Sequence, residues 1–277
     1  MSKDLSKILK DWDYQPDDVT VRIIDGEDGA KKVQLRIDLG VLQMEMQGRP
    51  DGQSPGGCPS WLEYYEQKQR AHDAAHPDSA AFELNEEDCL RLWREGVQYY
   101  HRYLSFWHLK VYDLCARDTA RNLRLFAFVR AHTDDDRHRM QFDQWRPYVT
   151  MMNVRAVATP LIDEAHYGEG LRVIESGIDA VRSFLDEYGQ TDRADECAEL
   201  TGLERWHVEV LAEKAEAENV KPKRPEAILR EKLQEAIAAE EFEQAARLRD
   251  EIRRAKAGGK AKRRMMRCDD CLGANIS

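Results

Sequence analysis

Residues 90–114 read Leu-Arg-Leu-Trp-Arg-Glu-Gly-Val-Gln-Tyr-Tyr-His-Arg-Tyr-Leu-Ser-Phe-Trp-His-Leu-Lys-Val-Tyr-Asp-Leu. Leu90, Trp93, Val97, Tyr100, Leu104, Trp107, Val111 and Leu114 follow one another at alternating steps of three and four, the spacing of a heptad seam along one side of a helix. The spacing predicts one long helix. Asn85 ahead of Glu86, Glu87 and Asp88 supplies an N-cap and an acidic first turn that suits the helix dipole. Tyr99, Tyr103 and Phe106 widen the stripe, so burial on more than one side is expected. Aromatic residues at this spacing are read as core, because the interleaved cations of a base-stacking platform are missing.

Working outward towards the C-terminus, apolar periodicity predicts helices at 120–132 (Leu123, Leu125, Phe126, Val129), at 145–165 and at 170–188 (Leu171, Ile174, Ile178, Val181, Phe184, Leu185). Another is predicted at 194–218, apolar first and then rich in Ala, Glu and Lys. The run Ala165-His166-Tyr167-Gly168-Glu169-Gly170-Leu171 is similar to the inter-helix turn of a tetratricopeptide-type repeat, without a second copy at a matching period. Towards the N-terminus the period changes to two. Val19–Ile24 and Val33–Leu39 alternate around Asp25-Gly26-Glu27-Asp28-Gly29, and Val41–Met46 continues after Gly40, which predicts a small antiparallel meander that needs a helical cover. The Gly- and Pro-rich segment 48–58 lacks the Gly-x-x-x-x-Gly-Lys-Ser/Thr arrangement of a phosphate loop. It is read as an ordered loop, and with residues 43–49 as a candidate concave surface.

Beyond residue 220 the chain changes character. Leu229, Leu233, Ala236 and Ile237 form one helical stripe, and Phe242, Ala245, Ala246, Leu248 and Ile252 form a second, with loss of phase at Glu240-Glu241. Two short helices joined by a turn are expected. Pro225 suits a first helical turn, and Lys221-Pro222-Lys223-Arg224-Pro225 reads as a linker. A unit of about thirty residues lies below the size at which domains usually fold alone, and both apolar faces would stay open to water. A second helical pair would close them.

The run Glu241-Phe242-Glu243-Gln244-Ala245-Ala246-Arg247-Leu248-Arg249-Asp250-Glu251-Ile252 resembles the UVR motif, the interaction motif of the excision-repair proteins UvrB and UvrC. Similar segments occur in Clp-family unfoldase subunits and in the zinc-binding activator of bacterial arginine kinases. The resemblance implies a hairpin that pairs with another UVR hairpin or with itself. Its contact residues would be Leu229, Leu233, Ile237, Phe242, Ala245, Ala246, Leu248, Arg249 and Ile252, with Phe242 as anchor.

Charge and cysteine usage bound the alternatives. The net charge of -10 hides eight cations and no acid between residues 252 and 267, leaving 34 Lys and Arg against 52 Asp and Glu elsewhere. The acidic remainder disfavours nucleic acid as the main partner, although Lys260, Lys262, Arg263 and Arg264 are candidates for weak phosphate contact. Six scattered cysteines fit a reducing compartment, and Cys268-Asp269-Asp270-Cys271 is half of a zinc site. The kinase activators place several such pairs ahead of the motif, whereas here one pair follows it. Asp135/His138 and Asp163/His166 echo the spaced ligand pairs of di-iron bundles, and His72/His76 has helical ligand spacing, but each is read as a turn or helix end. No run approaches a membrane span and no apolar leader opens the chain, so a cytoplasmic protein is expected.

Together these readings predict an α+β, predominantly helical chain. A small N-terminal meander packs on a helical body with repeat-like hairpins (1–220), then come a linker (221–225), a UVR-like hairpin (226–256) and a basic tail (257–277). The expected function is a non-catalytic adaptor without a required cofactor. An accessory factor of nucleotide excision repair is the alternative, and a zinc-dependent regulator of a Clp or arginine-kinase system the third.

Overall fold

A computed structural model of the chain describes residues 4–77 and 81–219, together with residues 233, 244 and 247–249. The alternating segments form an antiparallel meander of β1 (Val21–Asp25), β2 (Lys31–Ile37) and β3 (Gly40–Glu45), ordered β1-β2-β3. Register sets Ile23 opposite Val33 and Val33 opposite Met44, and aligns Val21, Leu35 and Leu42, so one face collects the apolar side chains. Val33, Leu35 and Met44 are buried in a core that also holds Leu62, Tyr65 and Phe106. The opposite face carries Gln34, also buried; its amide donates to Gln43 Oε1 (2.9 Å), and its carbonyl oxygen accepts from Arg22 Nε (2.8 Å). Arg22 stacks 3.8 Å from the centre of the Trp12 ring, and Arg36 Nε donates to the Trp12 carbonyl (3.0 Å). The segment around α1 (Ser6–Leu9) and Trp12 therefore covers the second face, a layer that the alternation does not announce.

The helical part comprises α2 (Trp61–Ala75), α3 (Glu86–His108), α4 (Tyr112–Ala131), α5 (Asp136–Asp143), α6 (Arg146–Asp163), α7 (Tyr167–Glu187) and α8 (Ala198–Asn219). Asn85 caps α3 in a reciprocal capping box with Asp88. The helix expected to run through Leu114 instead stops at His108. There Lys110 adopts a left-handed φ of 57°, its N–H donates to the Trp107 carbonyl (3.0 Å), and Val111 N–H donates to the Phe106 carbonyl (2.9 Å). This is a Schellman ending, and α6 ends the same way at Ala165 (φ 61°) with His166 N–H on the Leu161 carbonyl (2.7 Å). Glycine normally occupies that position, so the stop at Lys110 is not marked in the sequence, whereas the turn at Ala165 falls where the helix at 145–165 was expected to end. Asp135, read from sequence as part of a turn or helix end, caps the start of α5. The Asp135 side chain accepts from Arg137 N–H (2.8 Å), and the Arg137 guanidinium and this N–H hold its carboxyl down at about 2.

The phase of α3 also differs from expectation. Its buried apolar residues are Cys89, Leu92, Gly96, Tyr99, Tyr103 and Phe106, which themselves step by three and four. They lie one residue, about 100°, from the expected seam. Leu90 and Tyr100 of that seam are exposed, and Trp93, Val97, Leu104 and Trp107 are half-buried.

Two apolar clusters organise the body. One joins the meander to α2–α6; the other joins α6, α7 and α8 through Val154, Ala158, Ile174, Val181 and Leu203. α6 serves both, with Val149, Met152 and Ala156 in the first cluster. Against it, α7 approaches so closely at Gly177 that a Cβ would stand 2.3 Å from Val154 Cγ2. The chain divides into compact units Met1–Ala212 and Glu213–Ser277. Relief of the left-handed strain at the α6–α7 turn gives a direct check: Ala165→Gly is expected to stabilise by about 0.5–1 kcal/mol in urea unfolding, since the strain it removes exceeds the added freedom of the unfolded chain.

Candidate interaction site

Of the expected contact residues in the C-terminal segment, Leu233, Leu248 and Arg249 are described, and all three are helical. Leu233 and Leu248 are half-buried, whereas Arg247 and Arg249 on either side of Leu248 are exposed, as is Gln244. An apolar residue turned inward between two outward cations is the local signature of an amphipathic helix. Leu229, Ile237, Phe242, Ala245, Ala246 and Ile252 lie outside the described residues. So do the linker at 221–225, the basic residues Lys260, Lys262, Arg263 and Arg264, and the pair Cys268 and Cys271.

Within Met1–Ala212, the most organised polar feature is a set of arginines and carboxylates between α3, α4 and the loop after β3. Glu95 is fully buried; its carboxylate accepts from Trp61 N–H (2.7 Å) and Leu62 N–H (3.2 Å), the first donors of α2, and thereby caps that helix from a neighbouring one. Arg49 Nε lies 3.1 Å from the same carboxylate, and Arg121 pairs with it while stacking 4.0 Å from the centre of the Tyr99 ring. Two turns further along α3, Arg102 grips Asp118 through Nε (2.6 Å) and a terminal nitrogen (3.0 Å), both side chains being 1% exposed. Its remaining terminal nitrogen donates to the Glu45 carbonyl at the end of β3 (2.8 Å). Arg117 bonds Asp118, the Met46 carbonyl (3.0 Å) and the Gln47 side chain.

These contacts hold the loop 46–60, which contains the expected concave surface: a recess of about 360 Å³ lined by Gln47, Arg49, Gln53 and Ser54 among others. Tyr99 Oη donates to the Gly48 carbonyl (3.3 Å), and burial raises the Tyr99 phenol. The arginines here are engaged by carboxylates and carbonyls of the same body, so the arrangement positions a loop and a strand. None of Glu95, Arg102, Asp118 or Arg121 was singled out from sequence. The available signal was Glu95 and Arg102 seven apart on the same side of a helix, which reads as a solvated polar stripe until α4 is placed against it.

The residues weighed as metal ligands fall into local roles. His76 ends α2 with its N–H on the His72 carbonyl (2.9 Å), and His72 Nδ1 lies 3.2 Å from the neighbouring Asp73. Asp135 caps α5, and exposed His166 precedes α7 beside Glu164 (3.6 Å). Among the described residues no group of three or more His, Cys, Asp or Glu could hold a metal ion. Cys89 and Cys115 are buried thiols that desolvation pushes up to about 11 and about 12, away from thiolate chemistry at neutral pH. Among the described residues no helix is long and apolar enough to cross a membrane.

Comparison with protein families matches residues 229–258 to the UVR model, described as the UvrB/uvrC motif. No curated protein and no solved structure matches the chain. The chain therefore carries a UVR motif at 229–258, joined to a mainly helical α+β body.

The buried charges make the body testable. Asp118→Leu or Arg102→Met alone leaves one buried charge unmatched and is expected to cost about 3–5 kcal/mol in urea unfolding. The double substitution Arg102→Met/Asp118→Leu should recover most of that loss, because a buried pair replaced by apolar residues is often close to neutral. Additive losses in the double variant would show that the pair is not coupled.

Proposed function

We propose that the chain is a non-catalytic adaptor whose hairpin at 226–256 pairs with the hairpin of another UVR-motif protein or of a second copy, in the cytoplasm. The match at 229–258 carries this reading. Leu229, Leu233, Ile237, Leu248 and Ile252 form the contact face, Phe242 the anchor, and Ala245 and Ala246 the positions of close approach. Arg249 with its charged neighbours selects orientation more than affinity. The half-buried state of Leu233 and Leu248 beside exposed Arg247 supports this division of faces. The linker at 221–225 gives the hairpin reach from the body, which is expected to stay folded whether or not the hairpin is engaged.

Phe242→Asp places a charge where the partner face would bury an aromatic ring. In analytical ultracentrifugation, and in affinity capture from the native host with wild type alongside, this variant should lose the association by about 100-fold or more, with an unchanged unfolding transition of the body. An identical oligomer and identical captured UVR proteins for wild type and variant would sink the proposal.

The eight cations between 252 and 267 favour a second reading, an accessory factor of nucleotide excision repair in which Lys260, Lys262, Arg263 and Arg264 touch DNA. On that reading, deletion of residues 257–277 abolishes a steeply salt-dependent affinity for duplex DNA; for four phosphate contacts the slope of log K against log salt is about -3.6. A salt-independent or undetectable affinity in the full chain removes it. Zinc held by Cys268 and Cys271 across two copies would point to the third reading, and metal analysis of the purified protein decides it.

A further inference from the structure

Beside its core seam, α3 builds a cleft with α4 and the start of α6. Trp93 meets Phe142 edge-on at 5.5 Å, Tyr100 faces Tyr148 at 6.5 Å, and Val97 lies between the two α3 aromatics. Trp145, 47% exposed, and Tyr100, 36% exposed, form the rim. Gly96 leaves the floor without a side chain, and Phe126 and Val149 close it from α4 and α6. The space amounts to about 260 Å³.

Among the described residues, the lining contains no Lys, Arg, Asp or Glu. His101, the titratable imidazole there, is lowered by burial and stands neutral at pH 7. The polar atoms of Asn122 are already engaged: its amide donates to the Gly96 carbonyl (3.0 Å), and its oxygen accepts from Arg121 (3.2 Å). We propose that this cleft is a binding site for an uncharged, planar aromatic molecule of one or two fused rings. Size excludes larger occupants: a dry apolar cavity of about 150 Å³ holds a single benzene ring, whereas drug-sized ligands take about 300–1,000 Å³. Charge excludes ionic ones, since an ion entering here would lose its water and find no counter-ion. Ring edges and faces presented from three helices suit stacked and edge-on contact with a flat ligand. This site is separate from the hairpin reading and does not depend on it.

Calorimetric titration of the full chain with indole, indole-3-acetate and tryptamine tests the proposal, because the three share a ring system and differ in charge. Indole is expected to bind saturably, with a dissociation constant at or below about 1 mM, and the anion and the cation at least tenfold more weakly. Val97→Trp, which fills the cleft, should abolish the binding. Trp145→Ala, on the exposed rim and outside both core clusters, should weaken it several-fold with an unchanged melting temperature. Linear titration, equal affinity for the three compounds, or indole binding unaffected by both variants would overturn the site. So would a dimer that Val97→Trp dissociates in a chain blind to indole, which would assign the cleft to a side chain of a second copy.

Discussion

Arg102 is the largest fully buried side chain of the body, and its guanidinium reaches two layers at once. Two of its nitrogens hold Asp118 on α4, and the third holds the Glu45 carbonyl where β3 ends. Withdrawing both charges from water is costly, and the bidentate geometry with an added carbonyl offsets that cost only while all three parts are in place. Once Arg102 is set, Tyr99 lies under it with the ring centre 4.8 Å from the guanidinium carbon, and Arg121 stacks on the same ring. Arg121 in turn meets Glu95, which caps α2. The sheet, the loop at 46–60 and three helices thus share one polar hub within the core.

Much of the fold was legible from local chemistry. The meander followed from alternation and turn glycines, the start of α3 from Asn85 and three acids, and the helical hairpins from apolar periodicity. The phase of α3 did not follow, for a physical reason. Residues 89–107 carry two seams of equal spacing one residue apart, and the one containing Trp93, Val97, Tyr100 and Trp107 is the more apolar. The core nevertheless takes the seam with Gly96, although a Cβ there would meet Leu125 at an ordinary 3.7 Å and the packing of α4 does not itself require a glycine. The same face brings Glu95 and Arg102 inside, where their partners on α4 and in the loop await them. Pairing across helices reversed a preference that single-helix hydrophobicity expressed. The break at Lys110 and the cap at Asp135 were hidden likewise, one by a lysine in glycine's usual place and the other by an acid run that reads equally as a loop.

The interaction motif shows the reverse balance. Its identity was legible in twelve residues, Glu241 to Ile252, because alternating charge and apolar side chains at helical spacing are the whole of its chemistry. What it docks on depends on another surface. The body hides its decisive contacts between distant residues, whereas the motif is recognised from one local run of sequence.

The depth of Arg102 and Asp118 also separates the molecule by its response to ions in solution. Exposed pairs such as Arg182 with Glu204 and Arg193 with Glu196 fade as the Debye length falls below their surroundings' reach, from about 10 Å at 0.1 M salt to about 3 Å at 1 M. The hub is shielded by protein and keeps its strength over that range. Ionic strength can thus tune the charged surface and the basic residues between 252 and 267 while the sheet stays fastened to its helices.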